Sequence, residues 1–246
     1  MSTREGAPGQ DFPFYNGAPR RLTLGGWIVL LAATAAGFAS LAAAPVAWPG
    51  ETGGLAGIGA FVLLPLLGLR IAAGRDIGVL FRMPTARELL LALASAVATL
   101  AVSASVAMLV MRLGATAANP AVGMLQAMDA AERARFIAAT APQLVGEELV
   151  TVLPFLMLLT LAYGPLKQSR GRAIAIAWLG SSLLFAALHL PTYQWHVGQT
   201  LLVIGAARLV LSVPFMISKS LWPSAIAHIA HDWLLFALVL ALPAAD

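Results

Sequence analysis

The run GEELVTVLPF at residues 146–155 places two adjacent carboxylates, Glu147 and Glu148, at the start of an otherwise apolar segment. The segment continues to Tyr163 without another charge, so it is long enough to cross a membrane as a helix. Charged side chains inside such a helix are costly, and those that occur there usually serve a function. Of the eleven acidic residues in the chain, only these two and Asp232 lie well inside apolar segments.

Two later apolar segments carry histidines. The run FAALH ends at His189, and the run HIAHD contains His228, His231 and Asp232. His228 and Asp232 share a helix face because they are four residues apart. His231 also lies within reach of that face, so spacing alone leaves the choice between His228 and His231 open. Three of the four histidines in the chain thus accompany the three carboxylates.

The composition is that of an integral membrane protein. Hydrophobic residues make up 60% of the chain and charged residues 11%, and the mean hydropathy is +0.85. An average soluble domain has roughly 25% charged residues. The apolar runs are long and continuous, without the alternation that a transmembrane β-barrel requires. We therefore predict an all-α, polytopic helical bundle with about seven transmembrane helices plus an amphipathic segment.

The absence of cysteine excludes disulfides and thiolate chemistry, and it leaves His, Asp and Glu as the possible metal ligands. The net charge of +4 lies in the connectors that flank the apolar runs. It therefore indicates membrane topology and contact with lipid headgroups, and it gives no case for nucleic-acid binding.

The hydropathy pattern divides the chain into a polar N-terminal tail at residues 1–22 and a single transmembrane domain at residues 23–246. Residues 115–141 mix apolar and charged side chains, which predicts an amphipathic helix at the interface or capping the bundle. The predicted spans run at about residues 26–48, 55–73, 88–113, 142–163, 173–190, 197–217 and 221–242.

The distribution of basic residues predicts how the chain is oriented, because Lys and Arg concentrate in cytoplasmic connectors. With the N-terminus inside, the basic connectors at residues 75–87 and 164–172 and Lys219 all lie in the cytoplasm. The turns at Glu51 and His196, which carry no Lys or Arg, then lie outside. We predict a cytoplasmic N-terminus, an external C-terminus and, from the alanine- and arginine-rich composition, a bacterial inner membrane.

The residue types in these three segments suit peptide hydrolysis by either of two routes. A carboxylate beside an imidazole in a partly desolvated cavity can take a proton from water, and a second imidazole can donate to the oxyanion of a tetrahedral intermediate. The same His and carboxylate set could instead hold a zinc ion with an open position for water. The sequence does not choose between them.

The order and spacing of the three motifs resemble the CPBP family of intramembrane proteases, which includes the type II CAAX prenyl endopeptidases and the bacteriocin-processing or immunity proteins. The motifs are Glu147-Glu148, Phe185-x-x-x-His189 and His228-x-x-x-Asp232, the last preceded by Ser220-Leu221-Trp222-Pro223. The resemblance covers about residues 143–236 and implies a protease-like core at residues 142–243.

This resemblance also implies roles for the site residues. Glu147 would be the general base with Glu148 in support, and His189 would help to position and polarise the water. His228 and Asp232 would form the side that stabilises the oxyanion or binds a metal. The family is often regarded as metal-dependent, and a zinc ion would then be held by His189, His228 and Asp232. A metal-free, glutamate-based mechanism is also argued for its members.

The chain departs from the family's usual first motif, Glu-Glu-x-x-x-Arg, because Val152 occupies the Arg position. An arginine there would pair with a carboxylate, so its loss leaves Glu148 without an evident partner. Arg208, in the sixth predicted span, is the residue that could supply the missing charge from another helix.

The sequence therefore favours an intramembrane endopeptidase that acts on a membrane-associated peptide or protein in the lipid bilayer. The first alternative is a catalytically degenerate, immunity-type member that binds such a peptide or protein without cutting it, which the departure at Val152 suggests. The second is a proton- or cation-coupled transporter, against which the chain shows no paired, broken helices in two repeat halves.

Overall fold

The computed structural model describes residues 11–114 and 116–241. This part of the chain is helical and contains no strand, and seven of its helical segments are long and apolar enough to cross a membrane. The prediction of an all-α polytopic bundle is confirmed. Residues 1–10 of the predicted tail and the predicted end of the last span at Leu242 lie outside the described residues.

The helices follow the predicted spans closely, with two short additional elements. A 3₁₀ helix at Gly74–Phe81 forms the first basic connector, and a π turn at Thr200–Ile204 interrupts the sixth span. The α-helices are α1 Leu24–Ala47, α2 Glu51–Ala73, α3 Ala86–Leu113, α4 Pro120–Ala127, α5 Ala130–Tyr163, α6 Arg170–Leu188, α7 Val197–Gln199, α8 Gly205–Leu211, α9 Val213–Ser218 and α10 Leu221–Ala241.

Helix α5 is the centre of the bundle. In its most apolar stretch 67% of the residues are buried, against 44% or less in the other six crossing segments of the described chain. It packs against α1, α2, α6 and α10. The segment that carries both glutamates is therefore enclosed by protein, whereas the other crossing segments present more of their surface to lipid.

The start of α5 differs from the prediction of a separate amphipathic helix over residues 115–141. Asp129 caps the helix by accepting hydrogen bonds from the N–H groups of Ala131 and Glu132, and the Glu132 side chain accepts from the Asp129 N–H. The helix then continues through Pro142, because a proline removes one backbone hydrogen bond but tertiary packing can carry a helix past it. Only α4 is left as a short separate helix in that region.

Gly146 lets α2 approach α5 immediately before the glutamates. A Cβ atom at this position would lie 2.6 Å from a ring carbon of Phe61, which is closer than real atoms approach. Phe61 itself is completely buried. The missing side chain is therefore needed for the two helices to touch at the level of the site.

The N-terminal segment, residues 11–22, packs against the bundle, although the sequence pattern predicts only a polar tail there. Four of its apolar side chains are at most 6% exposed. The Phe12 ring lies 5.1 Å from that of Phe155 and 5.8 Å from that of Phe215, measured between centroids. The four buried residues are Phe12, Phe14, Tyr15 and Leu22.

Polar contacts hold the same segment to the end of the bundle where α5 ends and α6 begins, here called the basic end. Asp11 Oδ1 accepts a hydrogen bond of 2.7 Å from Arg170, and Asp11 Oδ2 accepts one of 2.8 Å from the Tyr15 hydroxyl. The Lys219 ammonium lies 3.9 Å from the centre of the Phe12 ring. The N-terminal segment thus ties together α6 and the turn before α10.

Candidate active site

Glu147 and Glu148 have different surroundings, because consecutive residues of an α-helix point about 100° apart. The Glu148 side chain has no exposed surface, whereas Glu147 keeps 14% of its side-chain surface accessible. Gln143, one turn earlier, donates a hydrogen bond of 3.1 Å to Glu147 Oε1. Glu147 is therefore the carboxylate that water can reach, and Glu148 is sealed inside the protein.

Arg208 on α8 forms a two-point ion pair with Glu148. Nη1 donates to Oε1 over 2.6 Å and Nη2 donates to Oε2 over 3.0 Å, and the Arg208 side chain has no exposed surface. The guanidinium carbon also lies 5.1 Å from the centre of the Phe185 ring. A buried carboxylate requires such a partner. The positive charge that Val152 cannot supply to Glu148 thus comes from Arg208 on another helix, as the sequence suggests.

His228 on α10 connects the two glutamates. Its Nδ1 lies 2.9 Å from Glu148 Oε1, and because that oxygen already accepts from Arg208, Nδ1–H is the donor. Its Nε2 lies 3.9 Å from Glu147 Oε2 and 3.9 Å from Asp232 Oδ1. One nitrogen of the ring therefore faces the sealed carboxylate, and the other faces the two accessible ones.

His231 contacts Asp232, and within the described residues it forms no hydrogen bond or ion pair with either glutamate. Its Nδ1 lies 2.8 Å from Asp232 Oδ1. Its Nε2 is buried and has no hydrogen-bond partner among the described residues. His228 is thus the histidine of the glutamate cluster, and His231 holds the carboxylate that completes it.

His189 stands apart from this cluster. It caps the end of α6, where its Nδ1–H donates to the Phe185 carbonyl oxygen over 2.9 Å. Its ring lies 4.6 Å from that of Phe185, which lies 6.2 Å from that of His228. Within the described chain, His189 forms no hydrogen bond or ion pair with Glu147 or Asp232. Phe185, which the sequence marks only as part of a motif, packs between the two histidines.

The residues predicted to hold zinc are not gathered around one point in the described part of the chain, and the zinc site stays a prediction. No three His, Asp or Glu side chains in residues 11–114 and 116–241 are placed to hold a metal ion. The Nδ1 atoms of His189 and His228 are both engaged, with the Phe185 carbonyl and with Glu148, which leaves their Nε2 atoms as the possible ligands. His189 also lies beyond ion-pair distance of Asp232 in this part of the chain.

Tyr193 is a neighbour of the site that the motifs do not indicate. It lies in the turn between α6 and α7 and is 8% exposed. Burial, and then the nearby carboxylates of Asp232 and Glu147, raise the pKa of its hydroxyl. A single aromatic residue in a polar turn carries no sequence signal of its own, and only the fold brings it to the carboxylates.

The family model described as type II CAAX prenyl endopeptidase Rce1-like matches residues 130–234. The matched range includes all five predicted site residues, together with Val152 and Arg208. The match covers less than half of the chain, and it supports membership of the CPBP family, which the three motifs resemble. No curated protein and no solved structure matches the chain.

This match supports an intramembrane CAAX-protease-type function in general. Together with the seven apolar helices, it supports an integral membrane protein in a lipid bilayer. A peptide substrate is consistent with the matched family.

Proposed function

We propose that this protein is an intramembrane endopeptidase that hydrolyses a peptide bond of a membrane-associated protein or peptide with a water activated by Glu147. The observation that carries the proposal is the position of His228 Nε2, 3.9 Å from Glu147 Oε2 and 3.9 Å from Asp232 Oδ1. This distance is too long for a direct hydrogen bond. One oxygen atom beside the two groups can hydrogen-bond the imidazole and a carboxylate together.

Glu147 performs the proton transfers. Its carboxylate takes a proton from the water, and the water oxygen forms a bond to the carbonyl carbon of the scissile peptide. The carbonyl electrons move to the oxygen and produce a tetrahedral oxyanion. The C–N bond then breaks, and the nitrogen leaves with the proton that Glu147 had taken, which gives a carboxylic acid and an amine.

His228 and Asp232 line the other side of the same space. Because Nδ1–H is bound to Glu148, His228 offers only Nε2 to the reaction, and it can donate there to the oxyanion when the ring carries both protons. Asp232 faces Nε2 and is itself held by His231. Glu148 lies on the other side of the ring, where it accepts the hydrogen bond from Nδ1 and so orients the ring.

His189 is assigned to the mouth of the site. Its ring is fixed on Phe185 by a tilted ring contact and by the Nδ1 hydrogen bond, which leaves Nε2 for a substrate group or for the water. This placement keeps the supporting role that the family resemblance implies, without a direct contact to Glu147.

Glu147→Gln tests the proposal, because it keeps the size of the side chain and removes the base. We expect its turnover to fall about 10²- to 10⁴-fold, the range for a lost general base. The assay uses purified protein in liposomes with a panel of membrane-anchored peptides. Glu51→Gln is the matched control, because Glu51 is 68% exposed and its nearest cation, Arg135, is 3.9 Å away. Parallel reactions with a chelator show whether a metal contributes.

Full activity of Glu147→Gln would contradict the proposal. If the wild-type protein binds the peptides but cleaves none of them, the chain is the non-catalytic, immunity-type member that the sequence also allows. Equal loss in Glu51→Gln would show that the substitution acts on stability and not on chemistry.

A further inference from the structure

We infer that Arg208 is a positioning residue, which acts through Glu148 to fix which nitrogen of His228 faces the reaction. Its effect on turnover rests on the proposed function, but its effect on His228 does not. The inference starts from an oxygen that two donors share. Glu148 Oε1 accepts from Arg208 Nη1 at 2.6 Å and from His228 Nδ1 at 2.9 Å.

The surroundings of Arg208 hold its guanidinium toward Glu148. Nε lies 3.4 Å from Ser212 Oγ, and that hydroxyl donates to the Arg208 carbonyl oxygen over 2.7 Å. The Phe185 ring lies 5.1 Å from the guanidinium carbon. With no exposed surface on either Arg208 or Glu148, the pair has no water to exchange with and keeps one geometry.

The ion pair with Arg208 decides where the Glu148 carboxylate lies relative to His228. The guanidinium holds both oxygens of Glu148, at 2.6 Å and 3.0 Å, and the oxygen at 2.6 Å is also the one that His228 Nδ1 contacts. Without the guanidinium neither oxygen is held, so the carboxylate can rotate away from Nδ1. The ring then loses the contact that keeps Nε2 toward Glu147 and Asp232.

Val152 marks a second position from which the same charge could be delivered. It lies one turn after Glu148 on α5, and together with Arg208 these residues line a small cavity of about 10 Å³. A longer side chain at residue 152 would reach Glu148 from α5, whereas in this protein the Arg208 side chain reaches it from α8. Positions 152 and 208 are therefore alternative sources of one cation for one carboxylate.

Four variants separate charge from volume. Arg208→Ala removes the cation, and Val152→Arg combined with Arg208→Ala returns it from the other helix. Val152→Met combined with Arg208→Ala is the matched control, because it returns volume without charge. Glu148→Leu combined with Arg208→Ala removes both charges, so no unpaired ion is left to destabilise the fold.

The first measurement is the hydrogen bond at His228 Nδ1, followed by nitrogen-15 NMR of the histidine rings, which is practical because the chain has four histidines. We expect a hydrogen-bonded Nδ1 in the wild type and in the Val152→Arg, Arg208→Ala double variant. Loss of this hydrogen bond is expected in Arg208→Ala alone and in the Val152→Met, Arg208→Ala control.

Turnover is the second measurement on the same proteins. It is expected to fall about 100-fold in Arg208→Ala, the effect of a misoriented group beside the oxyanion. It should return to within about tenfold of wild type when Val152→Arg is added to Arg208→Ala, and it should stay low when Val152→Met is added instead.

Two results would overturn the inference. One is an unchanged His228 signal in Arg208→Ala. The other is full turnover in the Glu148→Leu double variant once its thermal stability has recovered, because the ion pair would then only hold the fold together. If the wild type cleaves nothing, the proposed function fails, and the NMR comparison still decides the role of Arg208.

Discussion

His228 is the residue at which the sealed and accessible halves of the site meet. Its Nδ1 is bound to Glu148, and its Nε2 faces Glu147 and Asp232. His231, three residues later, reaches only Asp232. The loss of His228 removes the connection between three carboxylates, whereas the loss of His231 removes one support of a single carboxylate.

His228→Ala is therefore expected to lower turnover about 10²- to 10³-fold, the effect of losing a group that stabilises the oxyanion. His231→Ala is expected to lower it by about tenfold, because Asp232 loses only its orienting partner. Turnover in liposomes is compared with thermal unfolding of each variant, so that loss of fold is separated from loss of chemistry. Equal losses in the two variants, or a larger one in His231→Ala, would contradict these roles.

The residues of the candidate site stand out in the sequence, but most of their contacts could not be predicted from it. Glu147, Glu148 and Asp232 stand out because ionisable residues are rare inside apolar spans. The choice between His228 and His231 was not predictable, since both lie within reach of the same helix face. Contacts between helices leave no trace in spacing, so Arg208 could only be suggested and Tyr193 could not be found.

At the scale of elements, two features differ from what hydropathy predicts, and each has a physical reason. The start of α5 is encoded by Asp129-x-x-Glu132, a capping-box pattern, but Pro142 and the charges around it predict a boundary further on. The N-terminal segment has a polar average, yet Phe12 and Tyr15 are buried. Hydropathy averaged over a window of sequence does not reveal single aromatic residues that pack against a helix distant in the sequence.

The contacts of Asp11 in the N-terminal segment predict a dependence of stability on pH. Burial raises the pKa of the Asp11 carboxyl, but hydrogen bonds from Arg170, Tyr15 and the Phe12 N–H outweigh it, so the pKa lies below its ordinary value of 3.8. A carboxyl group whose pKa is lower in the folded state than in the unfolded state stabilises the fold at pH values above its unfolded-state pKa. This stabilisation is lost as the pH falls through its folded-state pKa.

Asp11→Asn is thus expected to lower the unfolding temperature in detergent at pH 7, and the difference from wild type should narrow as the pH falls below 3.8. Asp76→Asn is the matched control, because Asp76 pairs with Arg20 at 3.2 Å with nearly the same exposure as the Asp11–Arg170 pair. An exposed ion pair alone contributes little, whereas Asp11 also accepts hydrogen bonds from the Tyr15 hydroxyl and the Phe12 N–H. A difference for Asp11→Asn that stays constant with pH would show that its ionisation is not involved.

At the scale of the whole molecule, the seven crossing segments follow from composition alone, because apolar runs of this length have few other stable structures in lipid. Their orientation rests on the basic connectors and stays a prediction. The absence of cysteine makes it simple to test, since any introduced thiol is the only one in the chain.

Ser169→Cys and Thr192→Cys place single thiols at exposed positions before and after α6. With the N-terminus in the cytoplasm, a membrane-impermeant maleimide is expected to label the thiol at residue 192 in intact cells. The thiol at residue 169 should react only after the membrane is permeabilised. The reverse pattern would invert the predicted orientation and move the mouth of the site to the cytoplasmic side.

The length of α5 has a consequence for where a substrate is cut. Its 34 residues extend about 51 Å, whereas the hydrocarbon core of a bilayer is about 30 Å thick. Counted back from Tyr163, Glu147 lies about 24 Å along the helix, within roughly a turn or two of the opposite boundary, and the first turns of α5 stand clear of the hydrocarbon. A substrate peptide bond at the junction between a membrane anchor and its exposed stretch reaches Glu147 after entering the hydrocarbon core by only a short distance. A peptide bond at mid-bilayer lies too deep to reach it.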